Sequence, residues 1–239
     1  IGNVEVQVSV GGQTGSGRFD YDAPEVYTAA GCPTTSVGQT SMCSPNGGTR
    51  VTITGANFGT PAQAAGLAVT VGGVAVTGLT VTSDSELSFL IPAGNGWNVE
   101  IMVSRGVQFG SARILSYQGP QINAGTIRKF GETNKRTNVL ASSTNGGDRV
   151  LFEGSFFGTD MNAVTVYYGP VEYGSTRINP TYQTKCDLNS LTNTVIDCTT
   201  KPGVGANLQF QVVLISTQGQ TLLSNIGTDT YSYPAPVIT

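Results

Sequence analysis

The sequence predicts an all-β protein assembled from repeated β-sandwiches, on three observations. Short runs of β-branched and aromatic residues alternate apolar with polar at a period of two. No stretch carries the 3.6-residue apolar period of an amphipathic helix. A segment opening at Asn46 recurs at Asn145 with its glycines in register.

The elements follow in chain order. Val4-Glu5-Val6-Gln7-Val8-Ser9-Val10 puts four valines on one strand face and polar residues on the other. Gly11-Gly12 reads as the turn after it. Arg50 to Thr54 alternates in the same way. Leu67 to Val71 and Val74 to Thr77, joined by Gly72-Gly73, read as a hairpin. Gly78 to Val81 and Leu87 to Leu90 add short strands, and Pro61 to Leu67 allows one short helical turn at most.

Composition excludes several functions. The chain has 239 residues, enough for one large domain or two ordinary ones. It contains no histidine, which removes Ser-His-Asp and Cys-His catalysis and histidine-bound metal. Only 11% of residues are charged and net charge is −3, which argues against a nucleic-acid surface. Apolar runs fall far short of the roughly 18 residues a membrane span needs. No signal peptide is visible, so the sequence reads as a mature chain or an internal fragment. No cofactor or metal site is expected.

The repeat organises the chain. Asn46-Gly47-Gly48-Thr49-Arg50-Val51-Thr52-Ile53-Thr54-Gly55-Ala56-Asn57-Phe58-Gly59-Thr60 is echoed by Asn145 to Thr159 at an offset of 145 − 46 = 99. A second anchor occurs three times, at Tyr21-Asp22-Ala23-Pro24, Tyr117-Gln118-Gly119-Pro120 and Tyr233-Pro234-Ala235-Pro236. Asn3-Val4-Glu5-Val6 matches Asn98-Val99-Glu100-Ile101 and, more loosely, Asn207-Leu208-Gln209-Phe210. Residues 1–23 therefore read as the last two strands of one repeat, 24–120 and 121–236 as two more, and 237–239 as the start of a fourth. A lone two-stranded hairpin is marginal in water. Residues 1–23 are expected to need complementing strands, from the rest of a longer polypeptide or from another molecule.

The pattern Asn-Gly-Gly-x-x-Val-x-Ile-x-Gly-x-Asn-Phe-Gly resembles the opening of immunoglobulin-like IPT/TIG domains, found in plexins and other large extracellular proteins. Val69-Thr70-Val71-Gly72-Gly73-Val74 is similar to that family's central hairpin, and Ile196-Asp197-Cys198-Thr199-Thr200-Lys201-Pro202-Gly203 to its strand entering a Thr-Pro-Gly turn. Leu90-Ile91-Pro92-Ala93-Gly94 holds the same place without the cysteine. The resemblance implies tandem immunoglobulin-like β-sandwiches, extracellular or on the cell surface. Gly47 and Gly48 suit a sharp entry into the first core strand, Gly55 and Gly59 a bulged loop with positive φ, and Phe58 and Phe157 the plug of a sandwich end. The third repeat departs from the pattern between Tyr173 and Leu191, where it is longer and more polar.

Four cysteines fall into two local sets, Cys32 with Cys43 and Cys186 with Cys198, and no CxxC is present. The even count, the local spacing and the extracellular family together imply two disulfides, one per repeat. Four buried reduced thiols are the competing reading, and three connectivities are formally possible. No permitted N-glycosylation sequon occurs, since Asn179-Pro180-Thr181 is excluded by its proline.

Candidate ligand or interface residues are aromatic. Trp97, the single tryptophan, follows Gly94-Asn95-Gly96 and suits either stacking on a sugar or partner or capping of the sandwich edge. Tyr167, Tyr168 and Tyr173 flank a hairpin, and one of an adjacent pair must point outward. Asp20, Asp22 and Glu25 would offer oxygen ligands to Ca²⁺ but read better as a solvated loop. Asp84 with Glu86, and Asp187 with Asp197, read as surface carboxylates rather than a glycosidase pair. Arg128, Lys129, Lys135 and Arg136 form the one basic cluster, able to meet an acidic partner but more simply a solvated connector.

The expected function is a noncatalytic structural module, with tandem domains forming a rod, filament or appendage subunit through other copies or other repeats of the same protein. A protein- or glycan-binding receptor or adhesin ectodomain, or an accessory segment of a secreted enzyme, is the alternative. No nucleophile–base constellation supports catalysis within these residues.

Overall fold

The computed structural model describes residues 4–235. The chain divides into two compact units, Ile1–Gln118 and Gly119–Thr239. The expected opening of a further repeat at 237–239 lies outside the described residues.

The first unit begins with β1 (Val4–Val10) and β2 (Gln13–Phe19), which form a sheet of their own. There follow β3 (Glu25–Ala30), β4 (Thr34–Ser36), β5 (Gln39–Cys43), β6 (Arg50–Ala56), a 3₁₀ turn at Pro61–Gln63, β7 (Leu67–Val71), β8 (Val74–Ala75), β9 (Thr77–Ser83), β10 (Glu86–Leu90), β11 (Val99–Arg105) and β12 (Gln108–Tyr117). Two sheets run in the orders β3-β6-β10-β9 and β4-β5-β12-β11-β7-β8. All pairings are antiparallel except β5 with β12. Period-two alternation explains the packing. Val51 and Ile53 of β6 and Leu87 and Phe89 of β10 point inward, against Val69 and Val71 of β7 and Ile101 and Val103 of β11. The alternate threonines and serines face outward or sit half-buried.

The second unit contains β13 (Gln121–Ile122), β14 (Arg128–Lys129), β15 (Asn138–Leu140), β16 (Arg149–Ser155), β17 (Val164–Gly169), β18 (Thr184–Leu191), β19 (Val195–Thr199), β20 (Leu208–Ile215), β21 (Thr221–Leu223) and β22 (Thr230–Ser232). β18 pairs with β17 through Thr184 to Cys186 and with β19 through Asp187 to Leu191, so one strand serves both layers. In the first unit the corresponding crossing is broken at Val76, between β8 and β9. The core gathers Val150, Phe152, Val166, Ile196, Phe210 and Val212. Both units are all-β sandwiches of immunoglobulin-like type.

The repeated glycines divide by cause. Gly47 (φ 74°) and Gly146 (φ 70°) turn in the left-handed region against backbone, and Gly59 has φ 83°. Gly55 differs from expectation, for its φ is ordinary. A Cβ there would lie 1.9 Å from the Glu25 carbonyl oxygen and 2.4 Å from the Phe58 ring. Gly154 repeats this against Gln121 and Phe157. These two glycines exist for close approach of a neighbouring strand and the plugging phenylalanine. Phe58 and Phe157 are both fully buried.

Cys32 bonds Cys43, and Cys186 bonds Cys198, with Cα–Cα separations of 4.9 and 5.6 Å. The first closes the loop that carries β4. The second ties β18 to β19, next to the longer insertion.

Candidate functional site

The chain from Pro170 to Gln183, between β17 and β18, is the strongest candidate. It is much longer than the Gly72-Gly73 turn that follows β7 in the first unit. It is nevertheless fastened. Ile178 is 2% exposed and lies against Gly169, where a Cβ would meet its Cγ2 at 2.8 Å. The buried Gln211 of β20 donates from Nε2 to the Thr176 carbonyl at 3.0 Å, and its Oε1 accepts from the Ile178 N–H at 3.3 Å. A bridge joins Val171 to Ile178, and Asn179 N–H donates to the Pro170 carbonyl at 3.0 Å. Asn179 Nδ2 donates to Glu172 at 2.6 Å. From this frame Tyr173 stands fully exposed and Tyr182 is 67% exposed. A loop held at its base, with aromatic rings in water, is pre-organised for contact at little entropic cost.

The first unit offers a smaller feature. Trp97 is 50% exposed. Its loop is held by Gly94 N–H to the Pro45 carbonyl and Tyr117 N–H to the Gly96 carbonyl, both at 2.9 Å, and by Asn98 N–H to Ser116 Oγ at 2.9 Å.

Of the adjacent pair Tyr167 and Tyr168, the fold turns Tyr168 inward. Tyr168 shares strand parity with the inward Val164 and Val166 and is 1% exposed. Its hydroxyl accepts from Lys201 N–H at 2.9 Å and bonds Tyr233 Oη at 2.8 Å. Tyr233 spends its own proton on the Lys201 carbonyl, so Tyr168 is the donor between them. Burial is the main cause holding the Tyr233 phenol well above its usual range. Tyr168 is thus a core residue, and Tyr167 is half-buried on the other strand face. Tyr182, Ile178 and Gln211 carried no sequence motif; the extra length of the segment was their one signal.

The charged candidates are engaged within the molecule. Arg128 and Lys135 both reach Glu153, at 3.1 and 2.6 Å, Lys129 reaches Asp148 at 3.5 Å, and Arg136 reaches Glu132 at 3.3 Å. The hydrogen bond from Lys135 is the main cause holding the Glu153 carboxyl below its usual range. Burial alone would raise Asp148, but bonds from Ser142 and Tyr231 and the Lys129 charge together hold it low. Asp197 is buried against Arg149 and Asn189, whereas Asp187 pairs with Lys201 at the surface. Asp84 accepts from Gly59 N–H at 2.7 Å, which is a loop-capping role. Among the described residues no group of three or more His, Cys, Asp or Glu could hold a metal.

A cleft of about 700 Å³ lies in the first unit where β2 leads into the sandwich, beside Tyr21, Asp22, Asn57 and Arg105. Its polar groups hold the chain itself. Arg105 donates to the Phe58 and Gln63 carbonyls at 2.7 and 2.9 Å, and Asn57 to the Ala23 carbonyl at 2.9 Å. No helix among the described residues is long and apolar enough to cross a membrane.

Residues 33–118 match the model of the IPT/TIG domain family, so one such domain lies in the first unit. No curated protein matches the chain. Among solved structures it is similar to the surface glycan-binding protein PbSGBP-B from Prevotella bryantii, at 12% identity over 84% of this chain and 42% of that one, with a TM-score of 0.48. It is similar to SGBP-B of the Bacteroides ovatus mixed-linkage glucan utilization locus, in complex with a mixed-linkage heptasaccharide, at 14% identity over 97% and 55% with a TM-score of 0.26. It is also similar to the plexin A4 extracellular region, at 15% identity over 97% and 18% with a TM-score of 0.29. The chain spans about half the length of these proteins or less.

Proposed function

We propose that this chain is a noncatalytic recognition segment of an extracellular or cell-surface protein, and that it binds glycan through the Pro170–Gln183 insertion. The single observation that carries the reading is the fixed loop base beneath two exposed tyrosines. Tyr173 and Tyr182 offer flat amphipathic faces of the kind that pack on sugar rings while their hydroxyls stay wet. Neutral polar side chains at Thr176, Thr181 and Gln183 supply hydrogen bonding around them, while Ser175 and Asn179 bond within the loop. Trp97 is a second, independent contact in the first unit. Two disulfides favour an oxidising compartment. A sequence without histidine, with the candidate carboxylates Asp84, Asp187 and Asp197 in structural bonds, favours binding over chemistry.

The rod or filament role is the second reading. The observation that favours it is the β1–β2 hairpin, whose Val6, Val8 and Val10 are exposed and which has no third strand among the described residues.

An array of immobilised oligosaccharides, followed by titration of each hit, tests the first reading. Saturable binding that competes with free oligosaccharide is the expected result. Absence of glycan binding, with regular filaments from the native material, would replace it with the second.

A further inference from the structure

The β1–β2 hairpin repeats the pattern of β11–β12. With an offset of 98 − 3 = 95, Val4-Glu5-Val6-Gln7-Val8-Ser9 falls on Val99-Glu100-Ile101-Met102-Val103-Ser104, and Gly15-Ser16-Gly17-Arg18 on Gly110-Ser111-Ala112-Arg113. The pairing register is also the same from Glu5 to Val10, and departs only at Val4, which faces Phe19 where Val99 faces Leu115 across a bulge. Glu5 faces Arg18, Val6 faces Gly17, Val8 faces Gly15 and Val10 faces Gln13. At the same offset Glu100 faces Arg113, Ile101 faces Ala112, Val103 faces Gly110 and Arg105 faces Gln108.

The surroundings differ. Val99, Ile101 and Val103 are buried, with β7 paired to β11 and β5 to β12 at the two edges. Val6, Val8 and Val10 are 51%, 61% and 73% exposed, and among the described residues the β1–β2 sheet has no third strand.

Two residues carry marks of an absent neighbour. Gly110 is a glycine because a Cβ there would lie 1.9 Å from the Pro24 carbonyl oxygen, where the sandwich's own opening strand passes. Gly15, its equivalent, has an ordinary φ and nothing within 4 Å of its would-be Cβ. The described chain gives no steric reason for a glycine at Gly15. Tyr117 and Tyr233, the second and third copies of the tyrosine anchor, donate to the Pro92 and Lys201 carbonyls and close over Gly94 and Gly203. Tyr21, the first copy, is 58% exposed and packs edge-on to Phe19.

We infer that the Val4–Val10 face of β1–β2, with Gly15 and Tyr21, is a docking surface for the remaining strands of a third immunoglobulin-like sandwich. One opening strand crosses Gly15 as Pro24 crosses Gly110, and a proline–glycine turn receives the Tyr21 hydroxyl. In the first unit the β11–β12 hairpin closes a sandwich begun at β3, earlier in the chain. The same order places the occupant N-terminal to Val4 in one polypeptide. Two exposed strand edges and an apolar face are an aggregation hazard that such an occupant removes. The inference is independent of glycan binding.

Amide hydrogen exchange of the 239-residue chain, compared with the full native polypeptide, tests it, each with and without Gly15→Val. In the chain alone, residues 4–19 are expected to exchange freely at all protein concentrations, and Gly15→Val to leave thermal stability unchanged. In the native polypeptide the same amides are expected to gain at least about 100-fold protection, with Gly15→Val reversing it. Equal exchange in both settings overturns the inference. Protection in the chain alone that grows with concentration overturns it in favour of a second copy as occupant.

Discussion

Tyr117 donates its hydroxyl hydrogen to the Pro92 carbonyl at 2.9 Å, and its ring lies where a Cβ on Gly94 would meet it at 2.9 Å. The end of the last strand is thereby locked to the turn leaving β10. Tyr117→Phe keeps the ring and loses the bond, so the first unit should lose about 1 kcal/mol. Gly94→Val should cost more, because it drives a branched side chain into the ring. The first unit contains the single tryptophan, Trp97, so tryptophan fluorescence during urea unfolding reads both changes. A Tyr117→Phe variant as stable as the parent would remove the lock.

The same tyrosine gives an alkaline signature. Burial raises the Tyr117 phenol to about 12. An unfolded tyrosine titrates near about 10. The folded state therefore holds the proton more tightly, and this contribution is complete below pH 10 and lost as pH rises toward 12. The fall in first-unit stability between those values should be shallower in Tyr117→Phe.

Acid acts on the second unit in the opposite sense. Asp148 and Glu153 are both held below their ordinary values. Their contribution is complete above the unfolded carboxylate range, near about pH 4, and is lost as pH falls through the folded values. Asp148→Asn should weaken the second unit at neutral pH and flatten its acid decline. An unchanged acid profile, followed by near-ultraviolet circular dichroism, would count against this network.

Glycines with different causes should fail differently. Gly154→Ala places a Cβ 2.0 Å from the Gln121 carbonyl oxygen and 2.3 Å from the Phe157 ring. A loss of about 3 kcal/mol or more, or failure to fold, is expected. Gly147→Ala meets nothing within 4 Å and strains only its φ of 86°, so about 1 kcal/mol is expected. Comparable losses at both positions would contradict the close-approach explanation.

Gln211 is the long-range tie of the insertion. Gln211→Ala leaves the Ile178 N–H and Thr176 carbonyl without their partner. The insertion amides should exchange faster, and the unit should lose about 1–3 kcal/mol. Unchanged exchange across residues 171–183 would show that Ile178 alone suffices.

What the sequence made legible follows from where physics is local. The repeat at an offset of 99 is visible because Gly47 and Gly146 sit against backbone where any side chain would collide, so the residue type itself is constrained. The cysteine pairs are close in sequence as well as in space. The orientation of Tyr168 was readable from its parity with Val164 and Val166, though adjacency to Tyr167 alone could not choose. The purpose of Gly55 was not readable, because its reason is a carbonyl of β3 on a neighbouring strand. Gln211 and Ile178 are 33 residues apart and mark no motif, so their clamp emerges only with the sheet in place.

The most direct test of glycan recognition compares the parent chain with a Tyr173→Ala/Tyr182→Ala variant by titration calorimetry against the best array hit. Both rings are exposed, so the thermal midpoint should stay within about 2 °C of the parent. Affinity is expected to fall at least about tenfold, which is 1.4 kcal/mol. Undiminished affinity in the double variant would place recognition away from the insertion and contradict the account.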